Sequence, residues 1–345
     1  MNVPPPNVPK APEPSGGTIK PAAPGMALTL YYVFFDDDGL RAVWGIVLFL
    51  AIRKLLVYCV NPIAAVAFAV QPDPDGLISA GSTYVFEGAG AACLALTTWL
   101  MARMEQRPLA AYGFGREYPW RRFAAGMGWG VALISLLIGL LRAAGLLVFD
   151  VRLLTGPAVL RSAAIWLGAF VLVAVLEETY LRGYLQFALT RLMTPIYRRV
   201  FRMQHADRAG FWTAALILSF AFGITHNTNP GESPLGLVSA GIAGLLFCLS
   251  LWRTGSLWWA IGFHAAWDWG QSFLYGVADS GLIAQGRLFA THVVGRPVLS
   301  GGVTGPEGSI LLLPVMGIGV AVVLLTLPRS NAGVAAASAS PTAVD

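Results

Sequence analysis

The chain has 345 residues, of which 56% are hydrophobic and only 12% are charged. Because too few polar side chains are available to cover a water-facing globule, this composition excludes an ordinary soluble domain and favours a protein of the bilayer. The formal net charge of +5 fits basic loops beside anionic lipid and argues against nucleic acid as a partner.

Eight apolar segments are long enough to be predicted as membrane-spanning helices. A hydrocarbon core of about 30 Å needs about 20 apolar residues in a helix, and these segments do not alternate with the period of two that strands show. The predicted fold class is therefore all-α, a polytopic membrane helix bundle with about eight transmembrane helices. The predicted spans are 40–70, 78–102, 123–148, 162–190, 210–227, 235–252, 256–276 and 309–327.

The segments on either side of this bundle differ from it in composition. Residues 1–38 form a Pro-rich stretch and residues 329–345 are rich in Ala and Ser, so both are predicted to be disordered tails. Residues 39–328 form the predicted transmembrane bundle. The beginning of the chain lacks the apolar core of a signal peptide, which favours a bacterial plasma membrane as the location of this multi-pass protein.

The charges of the predicted loops indicate the orientation of the bundle. Cytoplasmic loops of membrane proteins carry an excess of Lys and Arg. Arginines are concentrated in alternate loops, at Arg103, Arg107, Arg116, Arg121, Arg122, Arg191, Arg198, Arg199, Arg202, Arg208, Arg253 and Arg329. The intervening loops contain few cations, so the alternation predicts that both termini are cytoplasmic.

The fourth predicted span contains three charged residues near its middle. A charge near the bilayer centre costs about 2.5–3.5 kcal/mol, so these side chains should face protein or water and be paired. Glu178 and Arg182 are four residues apart and can meet on one helix face, whereas Glu177 points about 100° away. The spacing predicts a paired Glu178 and an unpaired Glu177, whose buried carboxylate beside a second carboxylate suits a general base.

Two later spans also contain polar residues at helical spacing. The fifth span ends with Phe222 and His226, four residues apart, and the seventh contains His264 and Asp268 at the same spacing. Residues four apart lie on one face of a helix. Each of these helices can therefore present its polar side chains toward one common point inside the bundle.

These three motifs resemble, in the same order, those of the CPBP family of intramembrane proteases, which includes the CAAX prenyl endopeptidase called Ras-converting enzyme. They read Glu177-Glu178-x-x-x-Arg182, Phe222-x-x-x-His226 and His264-x-x-x-Asp268. The resemblance covers residues 162–276, which would be the protease core. Asp268 stands where the prenyl-protein-processing members carry Asn, so the use of prenylated substrates stays open.

The resemblance implies an intramembrane endopeptidase that hydrolyses peptide bonds of a membrane-associated protein or peptide. It implies that Glu177 and His226 activate a water molecule. It also implies that His264 and Asp268 stabilise the oxyanion that forms at the attacked carbonyl group. Membrane lipid and a peptide or protein substrate are the partners expected on this basis, while the oligomeric state is not predicted.

The resemblance also gives two motif residues a supporting role, and three residues are candidates for the substrate pocket because of their position. Glu178 and Arg182 form the supporting ion pair, in agreement with their spacing. Phe222, Asn227 and Trp267 lie beside the polar cluster and are candidate residues of the substrate pocket, although large aromatic residues in membrane helices more often serve packing.

The residues leave open whether the cluster holds a metal ion. Glu177, His226 and His264 could bind a divalent metal such as Zn²⁺, since imidazole nitrogen and carboxylate oxygen both suit this ion. The sequence has no His-Glu-x-x-His helix, which favours the metal-free alternative.

Two functions without proteolysis are also compatible with a buried polar cluster. A protein of the same fold could bind a partner without cleaving it, as a bacteriocin-immunity factor or a scaffold does, although the intact motifs argue against this. A secondary transporter could bind or relay ions with intramembrane carboxylates. The two halves of the chain show no similarity to each other, which argues against a transporter.

Glu87, in the second span, has no evident partner and is not among the predicted site residues.

Overall fold

A computed structural model describes residues 33–36, 39–74, 76–115 and 117–328 of the chain. Within these residues, eight long helices make up most of the structure, and the strands are confined to three two-stranded sheets. The two predicted tails, 1–38 and 329–345, lie outside the described residues, apart from residues 33–36.

The helices follow the order of the predicted spans. They are α1 (Ala42–Ala67), α2 (Ala80–Met104), α3 (Pro119–Ala143), α4 (Pro157–Arg199), α5 (Ala206–Thr225), α6 (Pro234–Thr254), α7 (Trp258–Trp269) and α8 (Leu312–Thr326). Helix α4 passes through a π-helical segment at Thr179–Leu185, and α7 continues into a second one at Gly270–Leu274. Proline at the first position of α3, α4 and α6 is preorganised for a helix start and lacks only an N–H that would be unpaired there.

Every predicted span overlaps one of these helices, which confirms the all-α membrane bundle. Among the described residues, the six helices α1 to α6 are long and apolar enough to cross a membrane. Helix α8 is shorter, with 15 residues, and α7 has 12 before its π-helical continuation. Helix α4 is longer than predicted: its 43 residues extend about 65 Å, so part of it lies beyond a hydrocarbon core of about 30 Å.

The sheets attach the long segment 275–311, between α7 and α8, to the rest of the bundle. Strand β5 (Ile283–Ala284) pairs in parallel with β3 (Leu77–Ile78), which precedes α2, and β6 (Phe289–Val293) pairs antiparallel with β4 (Leu147–Arg152). A third sheet pairs β1 (Phe35–Asp36) with β2 (Gly39–Leu40). The third predicted span extended to residue 148, but α3 ends at Ala143 because the chain turns there and enters β4.

Helices α3 and α7 are in direct backbone contact through glycines. A Cβ atom at Gly126 would overlap the carbonyl oxygen of Trp259, and one at Gly262 would overlap the carbonyl oxygen of Phe123. Small residues allow helix backbones in membranes to approach closely, which increases the van der Waals contact between them. This contact determines the position of α7, the helix that carries His264 and Asp268.

The substitution Gly126→Ala should destabilise the bundle by about 1–3 kcal/mol, because the added methyl group forces α3 away from the backbone of α7. Denaturant unfolding of the purified protein in detergent measures this loss. Gly128→Ala is the matched control, since a Cβ atom there meets nothing within 4 Å. Equal stability of the two variants would contradict the assigned contact.

Candidate active site

A buried ion pair joins Glu178 to Arg182 inside α4. Nη1 of Arg182 lies 3.1 Å from Oε1 of Glu178, and the two side chains are 1% and 0% exposed. Nδ1 of His264, on α7, lies 3.0 Å from the same carboxylate oxygen. An ionised carboxylate only accepts hydrogen bonds, so both nitrogens donate to this oxygen. The ion pair expected from the spacing is present, and it also connects α4 to α7.

The guanidinium group of Arg182 is enclosed by side chains of two further helices. Its Cζ atom lies 4.4 Å from the ring centroid of Phe222 on α5 and 5.5 Å from that of Phe247 on α6. A Cβ atom at Gly244 would overlap Nη2 of Arg182, so a glycine at this position makes room for the cation. Arg182 lies in the π-helical segment Thr179–Leu185, and π-helical turns occur frequently at functional sites.

Glu177 points to a different side of α4 from Glu178, as the spacing predicted. Its Oε2 atom lies 3.7 Å from Nε2 of His264, and Oδ2 of Asp268 lies 3.4 Å from the same nitrogen. His264 therefore faces the buried pair with Nδ1 and two further carboxylates with Nε2. Because carboxylates accept hydrogen bonds, a proton on Nε2 would make this nitrogen a hydrogen-bond donor toward the cavity.

His226 follows α5 directly, as the first residue of the 3₁₀ turn His226–Thr228. Its Nδ1 atom lies 2.8 Å from the carbonyl oxygen of Phe222. Because a carbonyl oxygen only accepts, the proton of the neutral imidazole is on Nδ1 and the lone pair is on Nε2. A lone pair on Nε2 is what a histidine needs to accept a hydrogen bond or a proton from water.

These side chains line one cavity with a volume of about 300 Å³. Four of the predicted catalytic residues line it, namely Glu177, His226, His264 and Asp268, together with Phe222 and Trp267 of the predicted pocket residues. Glu178 and Arg182 lie behind its wall. Asn227 is exposed at the end of the helix and does not line the cavity, whereas Asn229 does.

Three lining carboxylates were not among the predicted site residues. Glu87 extends from α2, while Asp279 and Glu307 belong to the segment 275–311. The indole Nε1 of Trp267 donates to Glu307 at 3.2 Å, and the hydroxyl of Ser272 donates to Asp279 at 2.9 Å. Glu87 could have been suggested by its charge within an apolar span. Asp279 and Glu307 belong to a loop without periodicity, so no sequence pattern indicated them.

The cavity lies toward one end of the bundle. Besides helical residues, it is lined by residues of the three loops before α2, after α5 and after α7, such as Ile78, Asn229 and Leu282. These are the loops that the charge pattern assigns to the side opposite the arginine-rich loops.

The predicted metal ligands Glu177, His226 and His264 do not form a metal-binding group in the described part of the chain. No set of three or more His, Cys, Asp or Glu side chains there is arranged so that it could hold a metal ion. The metal-binding alternative stays a prediction.

The fold and this cavity define a class, an integral multi-pass membrane protein with an internal site of carboxylates and histidines. Residues 158–270 match a family model described as type II CAAX prenyl endopeptidase Rce1-like. This segment contains all three motifs, so the predicted resemblance to the CPBP proteases is confirmed over that part of the chain. No curated protein and no solved structure matches the chain.

Removing one member of the buried pair should be strongly destabilising, and removing both should cost less than the sum of the two single losses. Arg182→Met leaves the buried carboxylate of Glu178 with His264 as its remaining partner and should lower the free energy of unfolding by about 3–5 kcal/mol. The double variant Arg182→Met with Glu178→Gln should lose less than the sum of the two single variants, because no buried charge is then left unpaired.

Unfolding in denaturant of the wild type, both single variants and the double variant gives the coupling energy. Strictly additive losses would show that the two side chains do not stabilise each other. Arg198→Met is a useful control for loss of an arginine, because its ion pair with Asp207 is largely exposed at the end of α4.

Proposed function

We propose that this protein is an intramembrane endopeptidase that hydrolyses peptide bonds of a membrane-associated protein or peptide. The observation that carries the proposal is the convergence of Glu177, His226, His264 and Asp268 on one cavity, from three different helix regions. The family match over residues 158–270 supports endopeptidase chemistry in general. The assignment of roles to individual side chains below is part of the proposal.

Glu177 and His226 are the residues proposed to activate water. A water molecule in the cavity transfers a proton to the carboxylate of Glu177 while its oxygen attacks the carbonyl carbon of the substrate. The lone pair on Nε2 of His226 accepts a hydrogen bond from the same water molecule and orients it. The assignment of the His226 proton to Nδ1, from its contact with Phe222, supports this role.

His264 and Asp268 are the residues proposed to stabilise the transition state. As the tetrahedral intermediate forms, the former carbonyl oxygen becomes negatively charged and accepts a hydrogen bond from Nε2–H of His264. Asp268, 3.4 Å from that nitrogen, keeps the proton on it, and Glu178 holds the other side of the ring through Nδ1. The C–N bond then breaks, and Glu177 returns its proton to the leaving amine.

All of these steps use side chains of the chain itself, so the proposal is a glutamate-dependent mechanism. The family description names a prenyl endopeptidase, and a prenylated peptide is one substrate class to test. The proposed location is a bacterial plasma membrane with both termini in the cytoplasm.

Glu177→Gln and His226→Ala should each lower kcat by about 10²–10⁴, because each removes a group that activates water. The assay is cleavage of membrane-tethered peptides, with and without a prenyl group, by purified protein in nanodiscs. His292→Ala is the matched histidine control, since His292 is exposed and pairs with Asp150 away from the cavity.

A folded wild-type protein that cleaves none of these peptides would favour the binding functions, an immunity factor or a scaffold. Cleavage that survives both substitutions would instead show that the activity belongs to other residues. Thermal unfolding of each variant distinguishes loss of activity from loss of structure.

Exhaustive chelation should leave the rate of cleavage unchanged, because the proposed mechanism has no step that needs a metal ion. Activity is measured before and after treatment with a chelator and after dialysis. A loss of activity that Zn²⁺ restores would contradict the glutamate-dependent mechanism and would return Glu177, His226 and His264 to the role of metal ligands.

A further inference from the structure

The wall of the cavity is strongly acidic. Among the described residues that line it there are five carboxylates and no Lys or Arg side chain. The five are Glu87, Glu177, Asp268, Asp279 and Glu307. The imidazole of His264 lies beside Glu177 and Asp268, so it offsets the negative charge in that part of the cavity.

The end of the cavity that contains Asp279 and Glu307 differs, because the groups that donate hydrogen bonds to these two carboxylates are neutral. Glu307 accepts from the indole of Trp267 at 3.2 Å and from the hydroxyl of Ser280 at 2.7 Å. Asp279 accepts from the hydroxyl of Ser272 at 2.9 Å and from the amide of Gln271. These donors satisfy oxygen atoms but supply no positive charge.

The carboxylates in this region also repel one another. Burial raises the pKa of Asp279 well above its usual range, and the negative charges of Asp268 and Glu307 raise it further. Burial likewise raises the pKa of Glu232, in the loop after α5, and Glu307 adds to that shift. A cation bound between these groups would offset the repulsion, since opposite charges favour ionised carboxylates.

An unpaired hydroxyl group supplies independent evidence for a ligand. Ser239 on α6 lines the cavity and is 2% exposed, yet its Oγ atom has no hydrogen-bond partner among the described residues. A buried polar group without a partner is destabilising, because it has lost its hydrogen bonds to water. A polar ligand in the cavity would provide the missing partner.

The arrangement suits an organic cation better than a metal ion. The carboxylates do not converge as metal ligands do in the described part of the chain. The indole ring of Trp267, which contacts Glu307, lines the same cavity, and such rings attract ammonium and guanidinium groups through their faces. The aliphatic stem of a Lys or Arg side chain would also pack well against the apolar side chains that line the cavity between the carboxylates.

We propose that the end of the cavity bounded by Asp279 and Glu307 binds a Lys or Arg side chain of the substrate peptide. This inference rests on the proposed function and specifies its substrate class. The cationic group contacts the two carboxylates and points toward the loop end of the bundle. The scissile peptide bond then lies deeper, beside Glu177 and His264.

Asp279 and Glu307 are held in place by the backbone around them. The N–H of Gly281 donates to the carbonyl oxygen of Thr304 at 3.0 Å, which ties their two parts of the segment together. Gly305 packs so closely on Ala278 that a Cβ atom there would overlap its carbonyl oxygen. A binding site fixed in this way loses little conformational entropy when the ligand enters.

The test compares two peptides that differ only in charge, one with Lys and one with Nε-acetyl-lysine at the same position near the cleavage site. Binding is measured by fluorescence anisotropy to the Glu177→Gln variant in nanodiscs, which should bind without cleaving. The Lys peptide should bind about tenfold more tightly than its acetylated form. Adding Glu307→Gln should reduce this preference to twofold or less.

Two further variants keep the result interpretable. Asp279→Asn should reduce the preference in the same way and replaces Glu307→Gln if that variant does not fold. Glu117→Gln is the control for loss of a carboxylate, because Glu117 is exposed at the opposite end of the bundle, and it should leave the preference unchanged.

A cleavage assay of both peptides with the wild-type protein distinguishes failure of the cation site from failure of the proteolytic function. Equal affinity for the two peptides would overturn the cation site, even if the wild type cleaves both of them. Charge-selective binding without any cleavage by the wild type would support the cation site and overturn the proteolytic function. Equal affinity without cleavage would overturn both proposals.

Discussion

The arrangement of the site depends on one carboxylate oxygen, Oε1 of Glu178, which accepts from Arg182 and His264 at once. Burying these charges is costly, and the cost is offset only while all of the groups stay together. The oxygen therefore fixes α4 against α7, and Arg182 extends the connection to Phe222 on α5. The three motif helices are held in one relative position by a group that does not itself line the cavity.

This connection also explains why two adjacent glutamates have different surroundings. Neighbouring residues of a helix point about 100° apart, so a helix that buries Glu178 against Arg182 must direct Glu177 elsewhere. The side chain of Glu177 is 31% exposed, whereas that of Glu178 is 0% exposed. One carboxylate is used to hold the structure together, and the other remains partly exposed in the wall of the cavity.

The cavity combines two electrostatic regions that come from different parts of the chain. Helices supply the region around His264, whose imidazole lies among the carboxylates. The segment 275–311 supplies Asp279 and Glu307, which are bound by neutral donors. A site that stabilises a developing oxyanion beside one that attracts a cation would orient an approaching peptide along the cavity.

Much of the helical core of this protein can be predicted from its sequence, because two local properties are sufficient. The length of the apolar runs determines where helices can cross a bilayer, and the spacing of polar residues determines which of them share a face. The pairing of Glu178 with Arg182 and the separate direction of Glu177 follow from this periodicity alone. The end of α3 at Ala143 and the full length of α4 did not follow, because apolar character does not determine where a helix stops.

The contributions of Glu87, Asp279 and Glu307 were decided only by the tertiary structure. Asp279 and Glu307 are 28 positions apart in a segment with no regular period, and they approach the motif helices because strands β3 and β4 pair with that segment. Such pairings join residues that are distant in the chain, so no local pattern encodes them. The sequence by itself determined which side chains each motif helix presents, whereas long-range packing decided what else surrounds them.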